Sequence, residues 1–206
     1  MINPIQYMTK PLNLIESQRI FHGRGHAYAG LEHVNIDWIS PAIIITLYAE
    51  VERDWLENLC HQLEVFIPEC EHLQVQYRCR PRAPFENMKG DDIQSLIAIE
   101  HDLKYHISLG RAQNTGLFLD MANGRSWVKE HCQGKNVLNL FSYTCAFSVA
   151  ALAGGAQQVV NIDMAKGALS TGRDNHRLNG HDLTRVIFQG IDIFKSWSRI
   201  KKYGLY

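Results

Sequence analysis

No apolar run in this sequence is long enough to cross a bilayer. The longest, Pro41 to Leu47, falls far short of the roughly 20 residues that a spanning helix needs. The amino terminus has no basic segment leading into an apolar stretch, so neither an anchor nor a secretory signal is expected. Cysteine is scarce and unpatterned. Cys60, Cys70, Cys79, Cys132 and Cys145 are odd in number and lack framework spacing, which excludes a disulfide scaffold and fits reduced thiols in a soluble, cytoplasmic protein. Metal-ligand sets are missing too: Cys60 with His61, Cys70 with His72, and His131 with Cys132 never extend into Cys-x-x-Cys or His-x-x-x-His spacing, so no metal is expected. Net charge is zero but unevenly spread. The first 109 residues carry 9 basic and 15 acidic side chains and the remainder 12 and 6. Two units with different surfaces are expected, and the basic half is compatible with a nucleic-acid partner or with an ordinary solvated face.

What is present is globular composition, 46% apolar and 20% charged over 206 residues, enough for one good core or two small ones. The first 30 residues read as irregular, and Gly23-Arg24-Gly25 neither follows a strand nor opens a helix, so it is a turn and not a phosphate loop. Ala42 to Ala49 predicts a strand buried on both faces. Val51, Trp55, Leu59 and Leu63 fall at four-residue spacing, widened by Leu56, Cys60 and Ile67, and predict a helix ending at Pro68. Leu73 to Arg80 alternates apolar with Gln74, Gln76, Arg78 and Arg80, predicting a half-exposed strand with a polar, partly basic face. Those arginines, with Arg82 and Tyr77, are candidate RNA contacts or a solvated strand edge. Leu96 to Glu100 and Leu103 to Leu109 predict a hairpin through His101 and Asp102. Residues 1–110 are therefore expected to form a small α+β domain of β-α-β-β-β order.

From Gly116 onward the rhythm changes. A helix from Ala122 to Cys132 is followed by a strand from Val137 to Phe141 and a helix from Ala146 to Ala153. Then come a strand from Val159 to Asp163, a helix from Lys166 to Leu178, and a strand from Val186 to Phe188. Short connections between these predict an α/β, Rossmann-like doubly wound parallel sheet over residues 111–206, with its ligand edge at the strand tips.

The turn at that edge, Asn139-Leu140-Phe141-Ser142-Tyr143-Thr144-Cys145-Ala146, contains no glycine. A dinucleotide site needs Gly-x-Gly-x-x-Gly there for backbone to approach pyrophosphate, so an NAD-dependent oxidoreductase is the alternative that this turn argues against. A cofactor without phosphates, held by amides and hydroxyls, is tolerated. Asp163 ends the second strand, 22 residues after Phe141, where a carboxylate can accept from a ribose diol. Asp192 follows the third strand and can accept from an adenine amino group, with Met164 and Ile193 covering the ring. Each acid is equally suited to capping a helix.

In order and spacing, Thr115-Gly116-Leu117-Phe118-Leu119-Asp120, Arg125, Asn139 to Phe147, Asp163, Gly172-Arg173-Asp174-Asn175, Asn179 and Asp192 carry a resemblance. The chain resembles the class I S-adenosylmethionine (SAM)-dependent RNA methyltransferases that modify bases of large-subunit ribosomal RNA, of the C5-cytosine and N7-guanine type. The likeness covers residues 20–206 and is densest over 113–179. It implies a SAM-binding domain behind a small domain that positions ribosomal RNA. By position, Asn139, Ser142 and Tyr143 would surround the methionine part of the cofactor, Asp163 the ribose and Asp192 the adenine. Thr115, Phe118, Asp120 and Arg125 would close over it, with core packing the alternative for Phe118.

The chain departs from the family in two places. Cys145 stands where the family has glycine, so a positive φ there would strain it; its place inside the turn opposes reading it as a nucleophile. The sequence also stops before the family's Asp-Pro-Pro-type turn, with Gly204-Leu205-Tyr206 read as the entry into the next strand. A truncated product, or a piece of longer coding sequence, is expected, and no catalytic residue is nominated. A non-catalytic cofactor- or RNA-binding scaffold is the other function considered. A sheet cut after three strands leaves an apolar edge, which predicts a homodimer or poor solubility.

Overall fold

A computed structural model describes residues 2–11, 13–110 and 113–200. The chain divides into two compact units, one of residues 1–100 and 107–115, the other of residues 101–106 and 116–206.

The first unit is built on a five-stranded sheet whose spatial order follows the chain: β1 (Gln18–His22), β2 (Val34–Ile39), β3 (Ala42–Leu47), β4 (His72–Tyr77) and β5 (Phe85–Lys89). β3 and β4 run parallel and the other neighbours antiparallel. Helix α1 (Arg53–Phe66) makes the crossover between the parallel pair and buries Trp55, Leu56, Leu59, Cys60 and Leu63 in a core with Ile36, Trp38, Ile43, Ile45 and Val75. Every residue of β3 is buried, as its unbroken apolar run requires.

Three strands here escape the β-α-β-β-β reading. In β1 the register slips between Arg19 and Phe21, so Ile20 and Phe21 are both buried and the two-residue period is lost. β2 does alternate, with Val34, Ile36 and Trp38 fully buried. β5 is a partly exposed edge strand with little apolar pattern.

β4 corrects a further expectation, because its polar face is buried. Gln74 Nε2 donates to Asp92 Oδ1 (3.0 Å) and to the Ile93 carbonyl (3.2 Å), and Gln76 Nε2 donates to the Gln113 carbonyl (3.0 Å). Amides that satisfy chain segments laid across the sheet are buried at little cost, and alternation alone cannot distinguish them from solvated ones. β6 (Ser95–Glu100) and β7 (Leu103–Ser108) form the expected hairpin, turned by His101 and Asp102 with φ of +49° and +66°. Two central residues with positive φ are the mark of a type I′ turn.

The second unit has the expected α/β form. Helix α2 (Ala122–His131) precedes β8 (Asn136–Leu140), α3 (Ala146–Ala153), β9 (Gln158–Asp163), α4 (Lys166–Leu178), β10 (Val186–Gly190) and α5 (Ile193–Ile200). The three strands are parallel in the order β10-β9-β8, with Leu140 level with Ile162 and Gly190 level with Asp163. Central β9 is buried at Val159, Val160, Asn161 and Ile162, and α3 packs its alanine-rich face against it. Three consecutive parallel strands bring their carboxyl ends to one edge, which positions the site. The expected strand entry at Gly204–Tyr206 lies outside the described residues.

Candidate functional site

The turn between β8 and α3 is contorted. Phe141, Tyr143 and Cys145 have φ of +53°, +47° and +61°, each costing about 1–2 kcal/mol in a residue with a side chain. Such backbone persists only where its surroundings over-determine it, and here they do. The Ser142 amide donates to the Ile162 carbonyl (3.0 Å) and the Cys145 amide to the Ser142 carbonyl (2.7 Å). The Tyr143 amide donates to Asp163 Oδ2 (2.8 Å). Thr144 Oγ1 donates to the Gly116 carbonyl (2.5 Å), and Asn175 Nδ2 to the Thr144 carbonyl (3.0 Å).

Cys145 thus adopts the glycine-like conformation while carrying a side chain. It is fully buried, and Gly172 of α4 makes room for it: a Cβ at residue 172 would stand 2.4 Å from Cys145 Sγ. Burial pushes the thiol up to about 12, which opposes the thiolate form that a nucleophile needs.

Two cavities open at the strand tips, and Phe141 lines both. The first, about 140 Å³, is apolar, lined by Phe141, Ile162, Met164, Ile191, Ile193 and Phe194 together with Asp163 and Asp192. Asp163 Oδ1 accepts from the Ala165 amide (2.8 Å) while Oδ2 accepts from Tyr143, so one carboxylate ties two turns together. Asp192 Oδ1 accepts from the Phe194 amide at the start of α5 (2.9 Å). Asp192 therefore caps α5, Asp163 holds the turn that leads into α4, and both line the cavity; a carboxylate has about four lone-pair positions, enough for both tasks.

The second cavity, about 170 Å³, holds Asn139, Ser142, Tyr143 and Thr144 against Phe118, Met121, Arg125 and Phe147. Ser142 Oγ is buried and, apart from the Cys145 thiol beside it, has no hydrogen-bond partner among the described residues. Phe118 is 44% exposed, and its ring lies 5.5 Å from that of Tyr143, so it belongs to the rim and not to the core. Arg125 is buried, donates from Nη2 to the Phe118 carbonyl (2.9 Å) and lies over the Phe147 ring. It supports the Phe118 segment from within.

Of the ten residues singled out in the sequence, eight line these two cavities: Phe118, Arg125, Asn139, Ser142, Tyr143, Asp163, Met164 and Asp192. Asp120 is exposed on a 3-10 turn outside their lining. Thr115 belongs to the first unit, where its carbonyl accepts from the Ser108 amide (2.8 Å). The sequence reading missed Phe141, although its position one residue past β8 marks it. It also missed Met121, Phe147 and Phe194.

Residues 18–206 match the family described as S-adenosylmethionine-dependent methyltransferase. The chain belongs to that family. Among curated methyltransferases it is 29% identical, over 196 residues, to ribosomal RNA large subunit methyltransferase I of Erwinia tasmaniensis, a match covering 92% of this chain and 49% of the relative. The chain spans about half the length of the curated relatives it matches. Its fold is similar to part of that of a protein from Streptococcus mutans assigned as a SAM-dependent methyltransferase (TM-score 0.81, 23% identity, 97% of this chain and 51% of the other). It is similar also to a methyltransferase solved with S-adenosylhomocysteine (SAH), at TM-score 0.80, 24% identity, and 95% and 50% coverage. With family membership the nicotinamide alternative falls, and the glycine-free turn is the local reason.

Proposed function

We propose that the β8, β9 and β10 tips hold SAM and that the protein transfers its methyl group to a base of large-subunit ribosomal RNA. The observation that carries this is two adjoining cavities that share Phe141, one lined by apolar side chains with Asp163 and Asp192, the other bringing Asn139, Ser142, Tyr143 and Thr144 among apolar walls. An amino acid joined to an adenosine needs an apolar seat for its base and hydrogen-bonding groups for its charged end, and Asn139, Ser142 and Tyr143 of the second cavity offer such groups. In this reading Asn139, Ser142 and Tyr143 hold the methionine part, Asp163 the ribose diol, and Asp192 the adenine amino group, with Met164 over the ring. Phe118 closes the polar side, supported by Arg125; Thr115 and Asp120 join the proposal on their sequence positions alone. When bound, the sulfonium supplies an activated methyl group. The chain's own part is to orient the cofactor and exclude water around it.

The first unit's part is to position RNA, with Arg24, Arg78 and Tyr48 as the proposed contacts. Tyr77 is buried, with Arg80 over its ring (3.7 Å) and its hydroxyl donating to Glu86; Arg80 is paired with Glu50 (2.6 Å). Arg24 and Arg78 instead lie over the ring of Tyr48 (4.3 and 5.5 Å), an arrangement suited to phosphates and unstacked bases. A cytoplasmic setting accords with five free cysteines, and no helix among the described residues is long and apolar enough to cross a membrane. Self-pairing through an exposed edge of the three-stranded sheet belongs to the same proposal.

Calorimetry with SAH and NAD side by side tests the cofactor assignment: SAH should bind and NAD should not, and the opposite result ends it. Methyl-labelled SAM with deproteinated large-subunit RNA tests transfer. Cofactor binding without transfer favours the scaffold alternative for this chain.

A further inference from the structure

A chain of buried polar groups leads inward from Asn139 in the second cavity. Asn139 Nδ2 donates to Asn161 Oδ1 (2.9 Å), and Asn161 Nδ2 donates to Ser148 Oγ (3.0 Å). Ser148 Oγ lies 2.8 Å from His176 Nε2, and His176 Nδ1 lies 2.9 Å from His181 Nδ1. Asn161, Ser148 and His176 are wholly buried and come from β9, α3 and α4 respectively. Polar groups at such depth cost stability unless every one is paired. The sheet and helices could have met there through apolar side chains alone.

The two amides give the outer part of the chain its direction, each donating inward through nitrogen. His176 is neutral, pushed down to about 3 by burial and then by neighbouring His181, so it offers one donor and one acceptor. Ser148 accepts from Asn161, and in the tautomer of His176 protonated at Nδ1 its own proton goes to Nε2. That leaves His176 Nδ1–H to donate to His181. Asn161, donating through nitrogen, must accept through oxygen. Asn139 therefore turns its nitrogen inward, and its carbonyl oxygen is left for the cavity it lines.

We propose that Asn161, Ser148 and His176 are positioning residues that hold Asn139 with its oxygen toward the cavity, where it accepts a hydrogen bond from the α-ammonium group of the cofactor's methionine part. This rests on the cofactor reading above and deepens it.

The test compares two ligands on the full chain by calorimetry: SAH, which has the ammonium group, and 5′-methylthioadenosine, which lacks the amino-acid part. His176→Leu and Ser148→Ala should each weaken SAH by about tenfold, the scale of one hydrogen bond to a charged group, and leave methylthioadenosine within about twofold. His176→Gln, whose amide can still accept from Ser148, should keep near-normal SAH affinity. In an Asn139→Ala background, Ser148→Ala should produce no further loss. Equal weakening of both ligands, weakening of neither, or a full further loss without Asn139 overturns the positioning role while leaving the cofactor assignment intact. A wild-type chain that binds neither ligand overturns the cofactor assignment, and the positioning role with it.

Discussion

Replacing Gly172 with alanine sets two effects of opposite sign against each other. In a helix interior the change should stabilise by about 1 kcal/mol, because glycine loses more backbone freedom on folding. Here the new Cβ would meet Cys145 Sγ at 2.4 Å, Cys145 Cβ at 2.9 Å and the Thr144 carbonyl carbon at 3.2 Å. A rotation about χ1 relieves the sulfur contact but not the Cβ contact. The turn cannot simply retreat, since the Cys145 amide and carbonyl are both held (2.7 and 2.9 Å). Overpacking of this kind costs about 2–4 kcal/mol with the backbone forced to move, so Gly172→Ala alone should destabilise by about 1–3 kcal/mol after the helix gain is subtracted. Cys145→Gly removes both close contacts. In that background the same substitution should be neutral or stabilising by up to about 1 kcal/mol. The cycle should therefore show a coupling of about 1–4 kcal/mol, overlapping the range seen for residues in contact. Urea unfolding of the four proteins, followed by fluorescence, measures it. SAH affinity should fall with Gly172→Ala and recover in the double variant. If Gly172→Ala costs the same in both backgrounds, to within about 0.5 kcal/mol, then Cys145 and Gly172 are not the matched pair argued above.

Acidification tests the buried imidazole. His176 is held below its usual value, so the unfolded chain binds the extra proton between about pH 6.5 and 3. Stability should fall as pH drops through that window, by up to about 1.4 kcal/mol per unit, and His176→Gln should flatten the decline in urea midpoints between pH 7 and 5; an unchanged slope refutes the assignment. Asp163→Asn places an amide nitrogen against one of two backbone donors and should cost about 1–3 kcal/mol as well as SAH affinity; a variant of wild-type thermal stability contradicts the clamp. Phe118→Ala removes a rim side chain and should alter stability by less than about 1 kcal/mol while weakening SAH binding, whereas a large loss of stability would return Phe118 to the core. Light scattering at micromolar concentration should show a dimer, and a monodisperse monomer counts against pairing through the sheet edge.

The second unit was legible because each of its elements has one period and one kind of surface. Helix α4 was bounded to the residue, and β8 and β9 within one, since apolar runs met polar turns abruptly. The first unit was harder for three separate reasons: a bulge erased the period of β1, an edge strand had little to bury, and buried glutamines in β4 look solvated in sequence. At the site, residues at strand tips were predictable from spacing. Arg125 was not, because a charged side chain that reaches inward to a carbonyl looks the same in sequence as one that reaches a ligand. The chain from Asn139 to His176 was equally hidden, since its members lie between 13 and 28 positions apart and meet only after the sheet and helices pack.

Asp163 gives one oxygen to the turn after β8 and the other to its own turn after β9. A guest that borrows the carboxylate's spare lone pairs stiffens that joint, so its arrival should register as slower deuterium uptake at Tyr143 and Ala165 in step. Lengthening the arm by one methylene, as glutamate would, keeps the charge and loses the span.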